Sequence, residues 1–577
     1  MPYLKQIQTV SYTTYQYLRR LSRIENKPEK QITLLIAFLL IETTLAFGDI
    51  FMDGAVQLRN LLFVVTGLLV CIVAVVIRRK KIELSHLSVA AIFLLSFMAA
   101  RNLRHFDMDS IYEITGIAML AVLGGYKVDS KLLGKTLTGI IIIECIVCLL
   151  QMAHILSVPS SSYIATGTFD SPTAFGLIVA LGMPFMLHAY RQSSNRVILF
   201  TILLSLALTI ALGCRTAIAC VVVTFLYYYK DMICRMKKLY RYSAAILLTA
   251  LTILLVIWKW QSSVGHLLIV EVTSSMLAHM PFLGYGTFGF QRLYMEHQLE
   301  FLQNASSLYS VVADNPMHPL NEYLSIILNI GMAGACGLFC LFSVLLKYWN
   351  IFTIETKCCI LILLLSSLFT YTFKYSFVWV FSVICCIACS RHISLRIPQW
   401  IARCIIISLI VVVSVHTWNY VVFELKWRNL YHIICTVGVS DDVISSYTNL
   451  ERGWNGNPMF YYNFAAVLRE NSDFAASNKV LRKYAEYVTD YYAITMNAQN
   501  NFSMGIYTEA LQSYKKASRM CPVRFMPLQG MMHCYQRMGD VPSARKTALL
   551  IVNKEVKIPS HFVSLMKREA QDYLLKE

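Results

Sequence analysis

Between residues 32 and 423, long apolar runs alternate with short polar stretches. A helix of roughly 17 to 25 apolar residues crosses the ~30 Å hydrocarbon layer of a bilayer, and about thirteen such runs are predicted. They centre near Leu40, Thr66, Phe93, Ala118, Glu144, Ile178, Leu203, Val221, Leu251, Ile327, Leu363, Val383 and Leu409; the eighth, 216–229, is short. Two stretches break this rhythm. Residues 261–322 form a long polar-to-mixed segment whose aromatic and apolar content predicts an ordered loop folded over one end of the bundle. Residues 424–577 show helical periodicity with mixed charge and predict a separate helical domain.

Composition agrees with a membrane assignment. Of 577 residues, 57% are hydrophobic and only 15% charged, with a mean hydropathy of +0.55. The first apolar run follows some thirty polar residues without a small-residue cleavage site, which predicts a retained span after a cytoplasmic segment at 1–31. A net charge of +18 raises the question of nucleic acid, but the cations follow topology. Arg78 to Lys81, Lys127, Lys131 and Lys135, and Lys230 to Arg241 cluster on the side of the amino terminus. Arg59, Arg101, Arg104, Arg215, Lys259, Arg292 and Lys374 make up the sparse opposite face. The positive-inside rule then places the amino terminus in the cytoplasm and the tail outside it. The predicted fold class is an all-α polytopic membrane bundle with an extracytoplasmic helical-repeat domain, binding membrane lipids and not nucleic acid.

Within the tail, MGIYTEALQSYKKASRMCP places Gly505, Tyr507, Ala510, Tyr514, Ala517 and Pro522 where one helical hairpin closes on the next. A related segment follows about 34 residues on, with Tyr535, Gly539 and Ala544, and another precedes it in YYNFAAVLRENSDFAASNKVL. This period resembles tetratricopeptide repeats, which implies a protein or peptide partner; a helical cap on the 261–322 segment is the plainer reading. Most of the 17 cysteines lie in apolar runs as small packing groups, while Cys521 and Cys534 lie in the tail and are candidates to pair.

A charged side chain in an apolar span is costly unless paired or near water. Arg215, in LGCRTAIACVVV, lies at the outer end of a span, either snorkelling or gripping an anion through its planar fork. With Arg101, Arg104, Arg292 and Lys374 on the same face, it suits an anionic lipid head group such as a pyrophosphate. His318, in ADNPMHPLNEYL, is stiffened by Pro316 and Pro319 and followed by Asn321 and Glu322 at a helix start. Its imidazole suits proton transfer with a hydroxyl or a leaving phosphate, and Asn321 suits a helix cap.

Taken in order, GTFDSPTAFGLIVALGMPF, CRTA, PFLGYGTFGF and MHPLNEYLSIILNIGMAG, over about residues 130 to 390, resemble the O-antigen ligase and polymerase superfamily. The repeat tail is similar to that of one of its subgroups. This resemblance implies a glycosyltransferase of the bacterial inner membrane, with a polyprenyl-diphosphate-linked glycan as donor and a lipid, glycan or protein hydroxyl as acceptor in the periplasm. It implies that His318 lies near the glycosidic phosphate bond and that Arg215 holds the diphosphate, with no cofactor. Where relatives carry a second arginine this chain reads GHLLIV, so His266 stands in its place and Arg292 is a candidate substitute.

Other readings remain. A polymerase of lipid-linked repeat units and a protein O-oligosaccharyltransferase share the chemistry. Asp107 and Asp109, in RHFDMDS, form a DxD pair of the kind that holds a divalent ion. A transporter would use intramembrane acids such as Glu42 and Glu144, and a scaffold would act through its tail.

Overall fold

A computed structural model describes residues 28–48, 50–77, 83–102, 108–124, 126–159, 163–238, 257–304, 307–389, 392–394, 399–453, 457–557 and 559–576, with scattered residues between 242 and 254. The described chain is almost wholly helical. Its strands are Glu83–Ser85 and His392–Ser394, an antiparallel pair with Leu84 opposite Ile393.

Among the described residues, five helices are long and apolar enough to cross a membrane: Val56–Val75, Ser130–Met152, Pro172–Ser193, Glu322–Ile351 and Ile406–Val437. Another five, among them Arg215–Tyr228 and Ser376–Ile387, are apolar but shorter. Several of the thirteen expected runs therefore fall on helices shorter than these. The runs around Val221 and Val383 are shortened because turns cut into them, at the left-handed Gly213 before Arg215 and at Thr372–Lys374 before Ser376. The run centred at Leu251 falls largely outside the described residues. The helix Pro172–Ser193 is apolar on every face because neighbours enclose it: Ser130–Met152, Arg196–Ala211, Arg215–Tyr228 and Ile354–Ser367 all pack on it. Small residues allow the close approach, since a Cβ at Gly176 would lie 2.5 Å from the Ala217 Cβ.

The 261–322 segment is not a loop but three helices, Trp260–Ala278, Gly289–Asn304 and Ser307–Val312, joined by turns. Its glycine-rich turn repairs a break in the next helix. Gly331 leaves the helical conformation (φ 61°, ψ −138°), which frees carbonyls of the preceding turn. Tyr285 N–H then donates to Leu328 O (2.7 Å), Gly286 N–H to Asn329 O (3.1 Å) and Met332 N–H to Phe282 O (2.9 Å). Glycine is required on both sides, because a Cβ on Gly331 or Gly284 would collide with the opposing backbone.

The tail does not begin at a linker. The helix Gln399–Val437 runs unbroken through Glu424, so the change from apolar to mixed charge falls inside it. Paired helices follow, the first of each pair starting at Pro458, Tyr491 and Met526 and the second at Phe474, Tyr507 and Val541. Aspartates 473, 490 and 540 cap helices of this stack. Ala510, Tyr514 and Ala517 are buried as their spacing predicts, and the Tyr514 ring seats on Gly530. Cys521 and Cys534 are buried as free thiols in different apolar clusters. The stack shares a core with the 261–322 helices: Val264, Leu268, Tyr294 and Met295 pack with Tyr491, Ala517 and Met520.

Candidate active site at one end of the bundle

Contacts gather several helix ends at one end of the bundle. Pro172–Ser193 starts from the segment 166–171, which is held from three sides. Gln151, ending its own helix, accepts from Thr166 N–H (2.9 Å) and Gly167 N–H (3.0 Å) and donates to Gly167 O (2.8 Å). Glu144 accepts from Thr168 N–H (2.9 Å) and its hydroxyl (2.6 Å). Arg59 donates to Ala46 O (2.8 Å) and to Thr168 O (2.7 Å) and Oγ1 (2.6 Å), with its guanidinium 4.3 Å from the Phe169 ring. An acid and a base buried in apolar helices are thus both satisfied by one loop, which fixes that loop in turn.

The loop presents Asp170. Its Oδ2 accepts from Lys374 Nζ at 2.8 Å, whereas Oδ1, buried beside the Tyr375 hydroxyl, has no hydrogen bond of normal geometry. Three successive elements of the turn at 371–374 face three partners. The Tyr371 ring lies 5.0 Å from the His318 ring, Phe373 N–H donates to Glu322 Oε1 (2.8 Å), and Lys374 pairs with Asp170. Burial alone would lower the Lys374 pKa, but the carboxylate of Asp170 outweighs it and the pKa is raised. Burial, and then the charge of Lys374, lower the His318 pKa to about 4, so its imidazole is neutral at neutral pH. Leu320, between Pro319 and Asn321, holds a left-handed φ of 52°, a strained turn that aims this loop. Asn321 caps the following helix by accepting from Leu324 N–H (3.0 Å) and ties it to Leu368 O (3.3 Å).

Arg215 starts its helix beside the same loop, because Cys214 Sγ donates to Pro172 O (3.0 Å), two residues from Asp170. Its guanidinium donates to Ser263 Oγ (2.6 Å) and Ser262 Oγ (3.0 Å). His266 lies near enough that burial and the Arg215 charge lower its pKa, making it a neutral neighbour rather than a second phosphate-binding cation. Tyr163 lies within electrostatic reach of Tyr371, Asp170, Lys374 and Cys214, and so stands between the two halves.

The remaining residues expected at this site divide. Arg101 donates to Gly284 O (3.2 Å) and so braces the glycine-rich turn. Arg292 is exposed on Gly289–Asn304, and no contact among the described residues joins it to Arg215 or His318. Arg104 and Asp107 lie outside the described residues, and the Asp109 side chain is not described. Glu42 accepts from Thr66 Oγ1 (2.6 Å), a structural contact like that of Glu144. No group of metal-ligating side chains occurs among the described residues. Arg59, Asp170 and Tyr371 were not singled out in the sequence. Arg59 had a signal, a charge near the start of an apolar span, and Asp170 had a weaker one, an acid just before a Ser-Pro helix start.

Beneath the polar cluster runs an apolar slot of about 200 Å³. Glu322, Ser367 and Phe373 line its polar end, Leu94, Phe342 and Trp379 its walls, and Leu87, Leu345 and Cys386 its far end. No protein-family model matches the chain, and no curated protein is significantly similar to it.

Proposed function

We propose that this protein is a membrane glycosyltransferase that moves a glycan from a polyprenyl diphosphate to an acceptor hydroxyl. One observation carries the reading: the turn at 371–374 faces His318 through the Tyr371 ring and, through Phe373, lines an apolar slot sized for a single hydrocarbon chain, at the bundle end that also holds Arg215. The slot takes the head-proximal part of the lipid, and Arg215 with its two serines takes the diphosphate. The acceptor oxygen attacks the anomeric carbon, its proton passes to the His318 imidazole, and the bond to phosphate breaks with its electron pair left on the diphosphate. In the empty site burial and Lys374 disfavour the imidazolium; arrival of an anionic diphosphate offsets both, so His318 becomes a better base once the donor is bound. Asp170 fixes Lys374 in place.

In this reading the chain crosses the bacterial inner membrane about thirteen times, with the His318 end facing the periplasm. The paired tail helices are tetratricopeptide-like and share that side. Ligase, polymerase and protein O-oligosaccharyltransferase activities differ only in the acceptor. The test is incubation of purified protein with a polyprenyl-diphosphate oligosaccharide and lipid, glycan or peptide acceptors, with products identified by mass. His318→Ala should lower transfer by about 10² to 10⁴-fold in a protein that still folds and inserts. Undiminished transfer in that variant overturns the mechanism.

A further inference from the structure

The first helices of the tail pairs line a concave hollow of about 390 Å³, closed at one end by Val563 and Met566 of the last helix. We propose that this hollow binds an acidic saccharide, a pyranose unit that carries a carboxylate. Its aromatic lining comes from Tyr462, Tyr491, Tyr492 and Phe525. Ring faces of this kind are electron-rich and suit the apolar C–H face of a sugar ring. Its charged lining is Arg469 and Arg524, and no carboxylate lines it among the described residues. The Arg469 guanidinium makes no hydrogen bond or ion pair among the described residues, so its fork is available for a carboxylate. An extended peptide would need amide partners along a through-going groove. Here the side-chain amide is Gln499 alone and the hollow is stopped by the last helix, a shape for a compact unit.

Arg524 links this hollow to the loop that carries His318. It donates to Asp314 through Nε (3.1 Å) and Nη2 (2.7 Å to Oδ1, 3.0 Å to Oδ2), and reaches the Tyr492 hydroxyl at 3.5 Å. Tyr491 N–H donates to Asn315 Oδ1 (3.3 Å). A saccharide in the hollow therefore sits against residues that hold positions 314 and 315, shortly before His318. Binding itself does not depend on the transfer reaction and needs no contribution from His318.

The test is titration of the full chain in lipid nanodiscs with a galacturonic acid hexasaccharide, a neutral glucose hexasaccharide and a glutamate-rich peptide of equal charge. The acidic saccharide should bind at least about tenfold more tightly than the other two, and Arg469→Ala should weaken it by about tenfold or more. Arg469→Lys, which keeps the charge but not the fork, should fall between. His318→Ala should bind as the parent does, whatever its transfer activity, which separates this inference from the proposed reaction. Preference for the peptide, no binding of any ligand, or unaltered saccharide binding in a folded Arg469→Ala protein would each overturn it.

Discussion

The two halves of the candidate site hold their cations differently. Lys374 is paired with Asp170 and faces a histidine, so its charge is fixed in place by a carboxylate. Arg215 instead donates to the neutral hydroxyls of Ser262 and Ser263, with His266 close by. A further contrast lies just behind them in Arg59, whose donors are taken up by Ala46 O and by Thr168 of the loop at 166–170. The lesson is that a cation's partners, more than its position, separate framework from anion binding.

Substitution of the two arginines breaks the comparison most sharply. Arg59→Ala leaves Ala46 O and Thr168 O without their donor and removes the positive charge facing Glu144, and should cost about 3–5 kcal/mol, read as a lowered melting temperature in detergent. Arg215→Ala should cost under about 1 kcal/mol while abolishing donor binding. Equal losses of stability in both would dissolve the distinction. Gly331→Ala tests the helix break that follows His318: a side chain at positive φ against opposing backbone should cost about 1–3 kcal/mol or more by the same melting assay.

The pH profile sharpens the half that holds His318. Because its pKa is lowered to about 4, the acid limb of kcat/KM, which reports the free enzyme, should lie well below the ordinary histidine range. The limb of kcat should lie higher, since bound diphosphate favours the imidazolium. For stability the sign is fixed: the unfolded chain takes up a proton near pH 6.5 that the native site refuses. Native stability should therefore fall as pH drops from about 6.5 toward about 4, and His318→Ala should remove that fall. The smallest effect is expected far from the site, where Lys483→Ala removes the half-exposed pair with Glu451 at a cost under about 1 kcal/mol.

Much of the architecture was legible because it is written in local patterns. Apolar runs marked the long apolar helices, and the spacing of Ala510, Tyr514 and Ala517 marked buried positions of the tail. The 261–322 segment was misjudged as a loop because its helices mix polar and apolar residues, and their core is completed by the distant Tyr491, Ala517 and Met520.

The sequence by itself determined which stretches form apolar helices and that His318 and Arg215 lie beside helix starts, since each follows from hydropathy and backbone chemistry within a few turns. Only the tertiary structure decided that Asp170 meets Lys374 from 204 residues away, that His266 is neutral, and that Arg524 braces the His318 loop from 210 residues beyond Asp314. Charge pairing and desolvation depend on neighbours in space, and those exist only once the helices have packed.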